Sequence, residues 1–223
     1  HTDSAPATQR AQPGTPTHNL MPGSGNVAAF PRQAWLASAR RALTNAPTEA
    51  LRTGDARGRH ELRTALATYL ARARGVRTTA ESIVICAGTR HAVELLSKVF
   101  APSIIAVENY GLFLFRDAIA DNGAGTVPIR IDDHGAVVDD LEKTSAAAVL
   151  LTPAHHFPHG VPLHPARRTR ALDWAIRTKS YVLEDDYDGE FRYDRQPIGS
   201  MQGLDPDRVA YLGSASKSLA ACL

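Results

Sequence analysis

The chain alternates between short apolar runs and longer stretches whose apolar residues recur every three or four positions. The longer stretches predict amphipathic helices, because side chains three and four residues apart share one helix face. The short runs are rich in Val, Ile and Leu and stop at turn residues, which is typical of buried strands. Helices are predicted over residues 28–43, 58–74, 91–100, 113–122, 137–144 and 164–178, and strands over residues 82–88, 103–107, 125–131, 146–152, 180–185 and 208–213.

This alternation predicts an α/β fold, a three-layer αβα sandwich with a mostly parallel sheet and helices on both faces. In such sheets the chemistry gathers at the edge where the carboxyl ends of the strands meet the helix N-termini. The loops that follow the strands are therefore the places to search for function, and four of them carry unusual residues.

Composition narrows the classes of function only slightly. The 223 residues are 43% hydrophobic, and 25 basic side chains against 23 acidic ones leave a net charge of +2. That balance gives no overall case for binding nucleic acid or a membrane surface. No apolar run approaches the length of a transmembrane helix. The two cysteines favour reduced thiols and a cytoplasmic protein over a disulfide scaffold.

The first 20 residues differ from the rest of the chain. They are rich in Pro, Thr, Ser and Ala and hold almost no large apolar side chain. A segment of this composition cannot bury enough surface to offset the entropy of ordering it. We expect residues 1–20 to be a disordered interdomain linker, with a further domain upstream, and residues 21–223 to hold the fold.

The first unusual loop, "CAGTR" at 86–90, follows a predicted strand and opens a helix. After the turn at Gly88, the free N–H groups of the first helical turn could cradle a phosphate together with the Thr89 hydroxyl and Arg90. Ordinary capping of the helix by Thr89 accounts for the same residues without a ligand. The sequence leaves both interpretations open.

The second loop, "TPAHHFPHG" at 152–160, brings three histidines close to a strand end. His155, His156 and His159 could form a zinc site, with Asp185 as a further ligand. The spacing fits no helical ligand pair, however, and Pro158 argues against a helix here. A loop that lines an organic ligand is therefore favoured over a metal site.

The third loop follows the acidic run "EDD" at 184–186, and Tyr187 comes next. One of these carboxylates beside a protonated ring nitrogen would keep that cation charged, and the tyrosine could donate a hydrogen bond to a ring oxygen. A divalent-metal site and a plain acidic strand end are equal alternatives.

The fourth loop, "GSASKSLA" at 213–220, places Lys217 beside Ser214 and Ser216 just after the last strand. Partial desolvation in such a turn favours the free amine that forms an imine, and the serines suit a phosphate. A surface lysine in a serine-rich loop is the alternative.

Taken in order, "AGT", "TPAHHFPHG", "EDDYDGEFRY" and "GSASKSLA" resemble the fold-type-I pyridoxal-phosphate enzymes of the aminotransferase superfamily. Two stretches, "TGDARGRHELRTALATYLARARGV" at 53–76 and the segment from "LEDDYDGEFRY" to "GSASKSLA" at 183–220, are more narrowly similar to one group. They resemble the aminotransferase-like domain of the MocR/GabR-type regulators, within the GntR class of bacterial transcription factors. The resemblance covers residues 21–223 and implies an aminotransferase class I large domain, here truncated.

The resemblance also implies a cofactor, pyridoxal 5′-phosphate, and a role for each motif residue. Lys217 would be the catalytic residue that holds the cofactor as an internal aldimine. Asp185 would pair with the pyridinium nitrogen, with the adjacent Asp186 as second choice, and Tyr187 would bond the phenolic oxygen. No metal is expected. The phosphate would lie between two loops, one formed by Gly88, Thr89 and Arg90 and the other by Ser214 and Ser216.

Other parts of the pattern match less closely. His155 and His156 match a loop that faces the ring and the ligand. The family motif E-[DN]-P-G-[YF] ends in an aromatic residue that stacks on the ring, whereas "ENYGL" at 108–112 has Leu112 there. Either Tyr110 or Phe113 takes over, or an aliphatic side chain meets the ring. Where the family has a proline after its lysine, "SKSLAACL" has Ala221. The family's later arginine for the cofactor phosphate, and its small domain with the arginine that grips the substrate carboxylate, are not among these 223 residues.

Three functions are consistent with these features. The favoured one is a pyridoxal-phosphate-binding effector domain of a bacterial transcriptional regulator, which senses an amino acid or amine. It would reach DNA only through a winged-helix domain upstream of the linker. The alternatives are an aminotransferase that moves an amino group from an amino acid to a 2-oxo acid, and an inactive truncated fragment. The superfamily builds its site at a dimer interface, so the resemblance implies a homodimer for the full-length parent.

Overall fold

The computed structural model describes residues 27–191 and 199–220, so the predicted linker, residues 1–20, lies outside the described residues. The helices are α1 (Arg32–Thr44), α2 (His60–Arg74), α3 (Thr89–Phe100), α4 (Phe113–Asp121) and α5 (Pro165–Thr178). The strands are β1 (Ile104–Glu108), β2 (Gly125–Ile129), β3 (Ile131–Asp132), β4 (Gly135–Ala136), β5 (Ala146–Leu151), β6 (Tyr181–Asp186) and β7 (Val209–Gly213). Short 3₁₀ segments occupy Val27–Ala29, Thr48–Leu51, Ala80–Ser82 and Val138–Lys143.

Five strands form a fully parallel sheet in the order β2-β1-β5-β6-β7. The short strands β3 and β4 pair separately and antiparallel. The central strands are buried along nearly their whole length, as expected where helices cover both faces of a parallel sheet. Because all five strands run the same way, their carboxyl ends lie at one edge.

Helices pack on both faces of the sheet and form the outer layers. On one face, Trp174 and Ala171 of α5 join a core cluster with Val182 of β6. On the other face, Val93 of α3 and Ile119 of α4 belong to a second cluster. The predicted three-layer αβα sandwich with a mostly parallel sheet is confirmed. None of the helices in the described part of the chain is both long and apolar enough to cross a bilayer.

Two predicted elements differ from the structure. The apolar run at 82–88 forms no strand: Ser82 ends the 3₁₀ segment Ala80–Ser82, Ile83 is extended, and the run pairs with no strand among the described residues. The Ile85 N–H instead donates to the Arg57 carbonyl at 2.8 Å. Branched side chains favour extended backbone, but a strand also needs a neighbouring strand to pair with.

The predicted helix at 137–144 is the 3₁₀ segment Val138–Lys143, in which Val138 and Leu141 are buried. That three-residue spacing suits a 3₁₀ turn.

Helix α1 forms as predicted, but none of its residues is buried. Leu36 and Leu43 remain 61% and 67% exposed. Apart from Trp35, whose ring contacts that of Phe30, the apolar face that predicted the helix is exposed in the described part of the chain.

A buried ion pair ties the end of α2 to the end of β6. Arg74 donates from Nε and Nη2 to the two carboxylate oxygens of Asp186, at 2.6 and 2.8 Å. The Tyr211 hydroxyl donates to the same carboxylate at 2.6 Å. Helix α2 then ends at Gly75, whose φ of 69° is the left-handed conformation that glycine adopts readily. Both charged side chains are buried, so removing either one would leave the other as a buried charge without its ion-pair partner.

Removing Arg74 should destabilise the protein strongly. Among the described side chains, Arg74→Ala leaves the buried Asp186 carboxylate with only the Tyr211 hydroxyl, and breaking a buried pair costs about 3–5 kcal/mol. Arg72→Ala, an exposed arginine of the same helix, should change the free energy of unfolding by less than about 0.5 kcal/mol. Urea unfolding curves measure both values, and equal losses in the two variants would contradict this role for the ion pair.

Candidate functional site

A cavity of about 620 Å³ opens at the carboxyl edge of the sheet. Its walls come from the start of α3, the ends of β1, β5 and β6, the first turns of α4 and the turn after β7. Gly88 directly precedes the lining residue Thr89, and Ser214 lies two residues before the lining residue Ser216, but neither lines the cavity itself. The other six predicted site residues line it: Thr89, Arg90, Asp185, Tyr187, Ser216 and Lys217.

The predicted first phosphate loop lies at the start of α3. Gly88 is the N-cap residue, and its φ of 112° favours glycine. No described side chain caps the helix, so capping by Thr89, the simpler interpretation of the sequence, is not what the structure shows. Arg90 lines the cavity while its Nε donates to Glu94 at 2.9 Å. The first helical turn is therefore open to an anion.

The turn after β7 is held by its own serines. The Ser214 hydroxyl accepts from the Ser216 N–H at 3.1 Å and donates to Ser216 Oγ at 2.8 Å. This turn presents Ser216 and Lys217 to the cavity. Lys217 is half-buried, which differs from the freely exposed surface lysine that was the alternative.

Asp185 is the acid at the cavity. It is 3% exposed, and its Oδ1 has no hydrogen-bond partner among the described residues. Burial, followed by the negative charges of Asp186, Glu108 and Asp188, raises the pKa of Asp185 to about 8, while the Lys217 charge acts in the opposite direction. A buried acceptor without a donor is costly. The site therefore fits a ligand that brings a positively charged N–H group, such as a protonated ring nitrogen.

Asp186 lies on the opposite face of β6. Side chains alternate between the two faces of a strand. Val182 belongs to the core on the α5 side and Leu183 to the core on the α3 and α4 side, which places Asp185 with Leu183 and Asp186 with Val182. Because Asp186 is already bonded to Arg74, the geometry favours Asp185 as the acid available to a ligand.

Glu184, the first acid of the run, has a third set of partners. Its Oε1 accepts from the Met201 N–H at 2.9 Å and its Oε2 from the Gln202 N–H at 3.0 Å. All three residues are buried. The acidic strand end considered from sequence therefore holds three carboxylates, and each lies in a different environment.

Tyr187 lines the cavity beside Asp185. Burial, with the charges of Asp188 and Asp185, holds the pKa of the Tyr187 hydroxyl above its usual value. The phenol therefore stays protonated near neutral pH and can donate a hydrogen bond to a ligand oxygen.

The three histidines of the second loop have different surroundings. His155 Nδ1 lies 3.0 Å from Asp188 Oδ2. His156 is buried, its ring nitrogens have no hydrogen-bond partner among the described residues, and its Nε2 lies 3.9 Å from Glu108 Oε2. Burial lowers the pKa of His156 to about 4. His159 is exposed. Across the described residues, no three or more His, Cys, Asp or Glu side chains are grouped so that they could hold a metal ion.

Three polar residues of the cavity, Glu108, Thr152 and Arg116, were not predicted from the sequence. Glu108 is the last residue of β1, and its Oε2 accepts from the Thr152 N–H at 2.9 Å and from the Thr152 hydroxyl. Burial raises the pKa of Glu108 to about 7. Glu108 and Thr152 directly follow apolar strand runs, so a search of every strand end would have found them. Arg116 lies within α4 and has no such signal.

The structure separates the three residues that could meet the cofactor ring, Tyr110, Leu112 and Phe113. Leu112 lines the cavity, whereas Tyr110 and Phe113 do not, and these two aromatic side chains are 62% and 61% exposed. Of these three candidates, the structure places the aliphatic one at the cavity wall.

Fold and cavity together define a domain of the pyridoxal-phosphate-dependent transferase class. A parallel sheet carries a lysine, a buried acid, a tyrosine and an open helix N-terminus around one cavity. The chain belongs to the aminotransferase class I and II family, whose sequence profile matches residues 19–222. That membership implies pyridoxal phosphate as the cofactor.

Known proteins resemble nearly the whole chain. It is 38% identical over 216 residues to the uncharacterized HTH-type transcriptional regulator YdeL of Bacillus subtilis (strain 168), covering 96% of this chain and 47% of YdeL. It is 34% identical over 210 residues to the HTH-type pyridoxine biosynthesis transcriptional regulator PdxR of Corynebacterium glutamicum, covering 94% and 45%. The solved kynurenine aminotransferase of Pyrococcus horikoshii matches with a TM-score of 0.80 at 28% identity, covering 89% and 52%. The chain spans about half the length of these proteins.

Asp185→Asn should make the stability of the cofactor-free protein less dependent on pH. The folded-state pKa of Asp185, about 8, lies above the ordinary value of 3.8, so folding takes up a proton between these pH values. The stability therefore falls as pH rises through this window, and the asparagine variant lacks this contribution.

Melting temperatures measured between about pH 5 and pH 8 compare the slopes of the wild type and the variant. Asp173→Asn, an exposed acid of α5, is the matched control and should follow the wild type. Three parallel slopes would show that the pKa of Asp185 is not raised.

Proposed function

We propose that this chain is the pyridoxal-phosphate-binding, aminotransferase-like effector domain of a bacterial transcriptional regulator. The observation that carries the proposal is similarity over 94% and 96% of the chain to two proteins named as HTH-type transcriptional regulators. The cavity at the carboxyl edge of the sheet is the part of the domain that would bind the cofactor and the signal.

The residues around the cavity suit this cofactor. Pyridoxal phosphate, when bound, supplies an aldehyde and an electron-withdrawing ring. Asp185 would accept the ring N–H at its unpartnered Oδ1 and keep that nitrogen protonated. Tyr187 would donate to a ring oxygen, and Lys217 would supply the amine that attaches to the aldehyde. The phosphate would lie between the start of α3 and the turn after β7, held by Gly88, Thr89, Arg90, Ser214 and Ser216.

In this proposal the domain detects a small molecule and passes the signal to another part of the protein. The ligand would be an amino acid or an amine, because an amine is what exchanges with Lys217 at the aldehyde. DNA would be bound by a winged-helix domain N-terminal to these residues, and the parent protein would be a homodimer. The HTH designation of the relatives, and their roughly doubled length, support the presence of a separate DNA-binding domain in the parent protein.

A second candidate function is aminotransferase catalysis. The chain is 30% identical over 184 residues to aromatic-amino-acid aminotransferase 1 of Thermococcus litoralis, covering 77% of this chain and 44% of that enzyme. In such an enzyme Lys217 would also serve as a general base.

Lys217→Ala should abolish covalent attachment of the cofactor. Borohydride reduction of the wild-type protein mixed with pyridoxal phosphate should fix the label to a peptide that contains Lys217, because a free amine in contact with the aldehyde is the group that attaches. Lys98→Ala, an exposed lysine of α3, is the control and should label like the wild type. Peptide mapping by mass spectrometry measures both, and label at another lysine would refute the assignment.

Two assays on the full-length protein separate the regulator from the enzyme. A regulator should shift the mobility of DNA from its own promoter region, and an amino acid or amine should alter that shift. An aminotransferase should show steady turnover of an amino acid with a 2-oxo acid. Turnover without any DNA shift would favour the second candidate over the proposal.

A further inference from the structure

Two neighbouring strand ends supply the acid, the tyrosine and the lysine of the cavity, and one carboxylate joins these strand ends behind it. Asp185 and Tyr187 line the cavity at the end of β6, and Ser216 and Lys217 line it after β7. Asp186, between Asp185 and Tyr187 along the chain, does not line the cavity. Its contacts bear on the place of both strand ends.

The Asp186 carboxylate connects three elements of the fold. It accepts from Arg74 at the end of α2, at 2.6 and 2.8 Å, and from the Tyr211 hydroxyl of β7, at 2.6 Å. Asp186 is also the last residue of β6, where it is paired in register with Gly213, the last residue of β7. One helix and two strand ends are therefore held together at one point.

The packing around this carboxylate leaves little room for either strand end to move. A Cβ atom at Gly189 would lie 2.3 Å from Asp186 Oδ2, and one at Gly213 would lie 2.9 Å from Tyr211 Cε1. The backbone after β6 therefore lies directly against the Asp186 carboxylate, and the end of β7 lies against the Tyr211 ring. In an interior packed this closely, a shift of either side chain displaces the backbone beside it.

Ligand-binding side chains need support of this kind. A site works when its groups are held within about 0.5 Å of the productive geometry, and packed, hydrogen-bonded neighbours hold them there. Arg74 and Asp186 are buried and Tyr211 is half-buried, and a satisfied network in such surroundings is rigid. The Asp185 carboxylate, whose Oδ1 has no hydrogen-bond partner among the described residues, depends on a rigid neighbour.

From these contacts we propose that Arg74, Asp186 and Tyr211 form a positioning cluster that fixes Asp185 relative to Lys217 and thereby sets how the cofactor is bound. None of the three lines the cavity, so they act through the backbone of β6 and β7. The inference rests on the proposed function, because it takes pyridoxal phosphate as the ligand of the cavity. It goes further by giving the network behind the cavity a role in binding as well as in stability.

The test uses the full-length protein and compares the wild type with Tyr211→Phe and Arg74→Lys. Tyr211→Phe keeps the ring and the ion pair but removes the hydroxyl that joins β7 to Asp186. Arg74→Lys keeps the charge but loses the two parallel hydrogen bonds. Pyridoxal phosphate is the probe. Titrations measure its dissociation constant and the pH midpoint of the absorbance of the bound cofactor, at a temperature where every variant is folded.

Two control variants separate positioning from loss of stability. Tyr181→Phe removes a hydroxyl from an exposed tyrosine at the opposite end of β6. Leu141→Ala empties a buried position in the core on the α5 side. It should lower the melting temperature at least as much as Tyr211→Phe, since core truncation costs more than one hydrogen bond. Both controls should bind pyridoxal phosphate within about twofold of the wild type, because sites that share no partners act independently.

Tyr211→Phe should weaken the binding of pyridoxal phosphate by about tenfold, because a small displacement of Lys217 against Asp185 misaligns their contacts with it. The pH midpoint should also rise by about half a unit or more. A hydrogen bond from Tyr187 and the positive ring nitrogen that Asp185 maintains both favour loss of a proton from the bound cofactor, and both weaken in the variant. Arg74→Lys should change the two quantities in the same directions.

Unchanged binding and an unchanged midpoint in both Tyr211→Phe and Arg74→Lys would overturn the assignment. Equal weakening in Leu141→Ala would also overturn it, because the effect would then follow stability alone. In both cases a wild type that takes up the cofactor leaves the proposed function standing. A wild type that takes up no pyridoxal phosphate would overturn the proposed function itself, and this assignment with it.

Discussion

Parallel pairing of the five strands decides where the functional side chains of this protein can lie. Each crossover returns the chain to the same end of the sheet, so β1, β5, β6 and β7 all end at one edge. Residues as distant in sequence as Glu108 and Lys217 thereby line one cavity. The helices α3 and α4 pack on the same face, and their first turns close the cavity from above the sheet edge. The topology of the sheet therefore determines where the site lies, and the loops supply most of its reactive side chains.

The alternation of side chains along β6 gives its two aspartates different environments. Alternation places Asp185 and Asp186 on opposite faces, so identical side chains meet opposite electrostatic conditions. Asp186 is neutralised by Arg74 and fixed by Tyr211. Asp185 is buried without a partner and carries a raised pKa. A buried carboxylate with an oxygen that has no described partner, next to one that is paired, is the pattern expected where a fold holds a residue ready for a ligand.

Most of the sheet and the principal motif residues could be predicted from the sequence, because apolar runs mark buried strands and strand ends mark the functional edge. Other features depend on partners far away in sequence. The run at 82–88 has strand composition, yet pairing requires a neighbour that no local pattern reveals. Asp185 and Asp186 are chemically identical, and only the register of β6 separates their roles. Arg116 lies inside a predicted helix, and only the structure places it at the cavity wall.

The hydrogen bonds of Glu184 have a consequence for the register of β6. If the strand slipped by one residue, Glu184 could take the place of Asp185 at the cavity, and Asp185 the place of Asp186 opposite Arg74. Both positions would still hold a carboxylate, so charge alone does not distinguish the two alignments. The slip would, however, remove the Glu184 carboxylate from the Met201 and Gln202 N–H groups. The contacts of Glu184 with these two N–H groups therefore stabilise the observed register of β6, in addition to the burial of Val182 and Leu183 in the two cores.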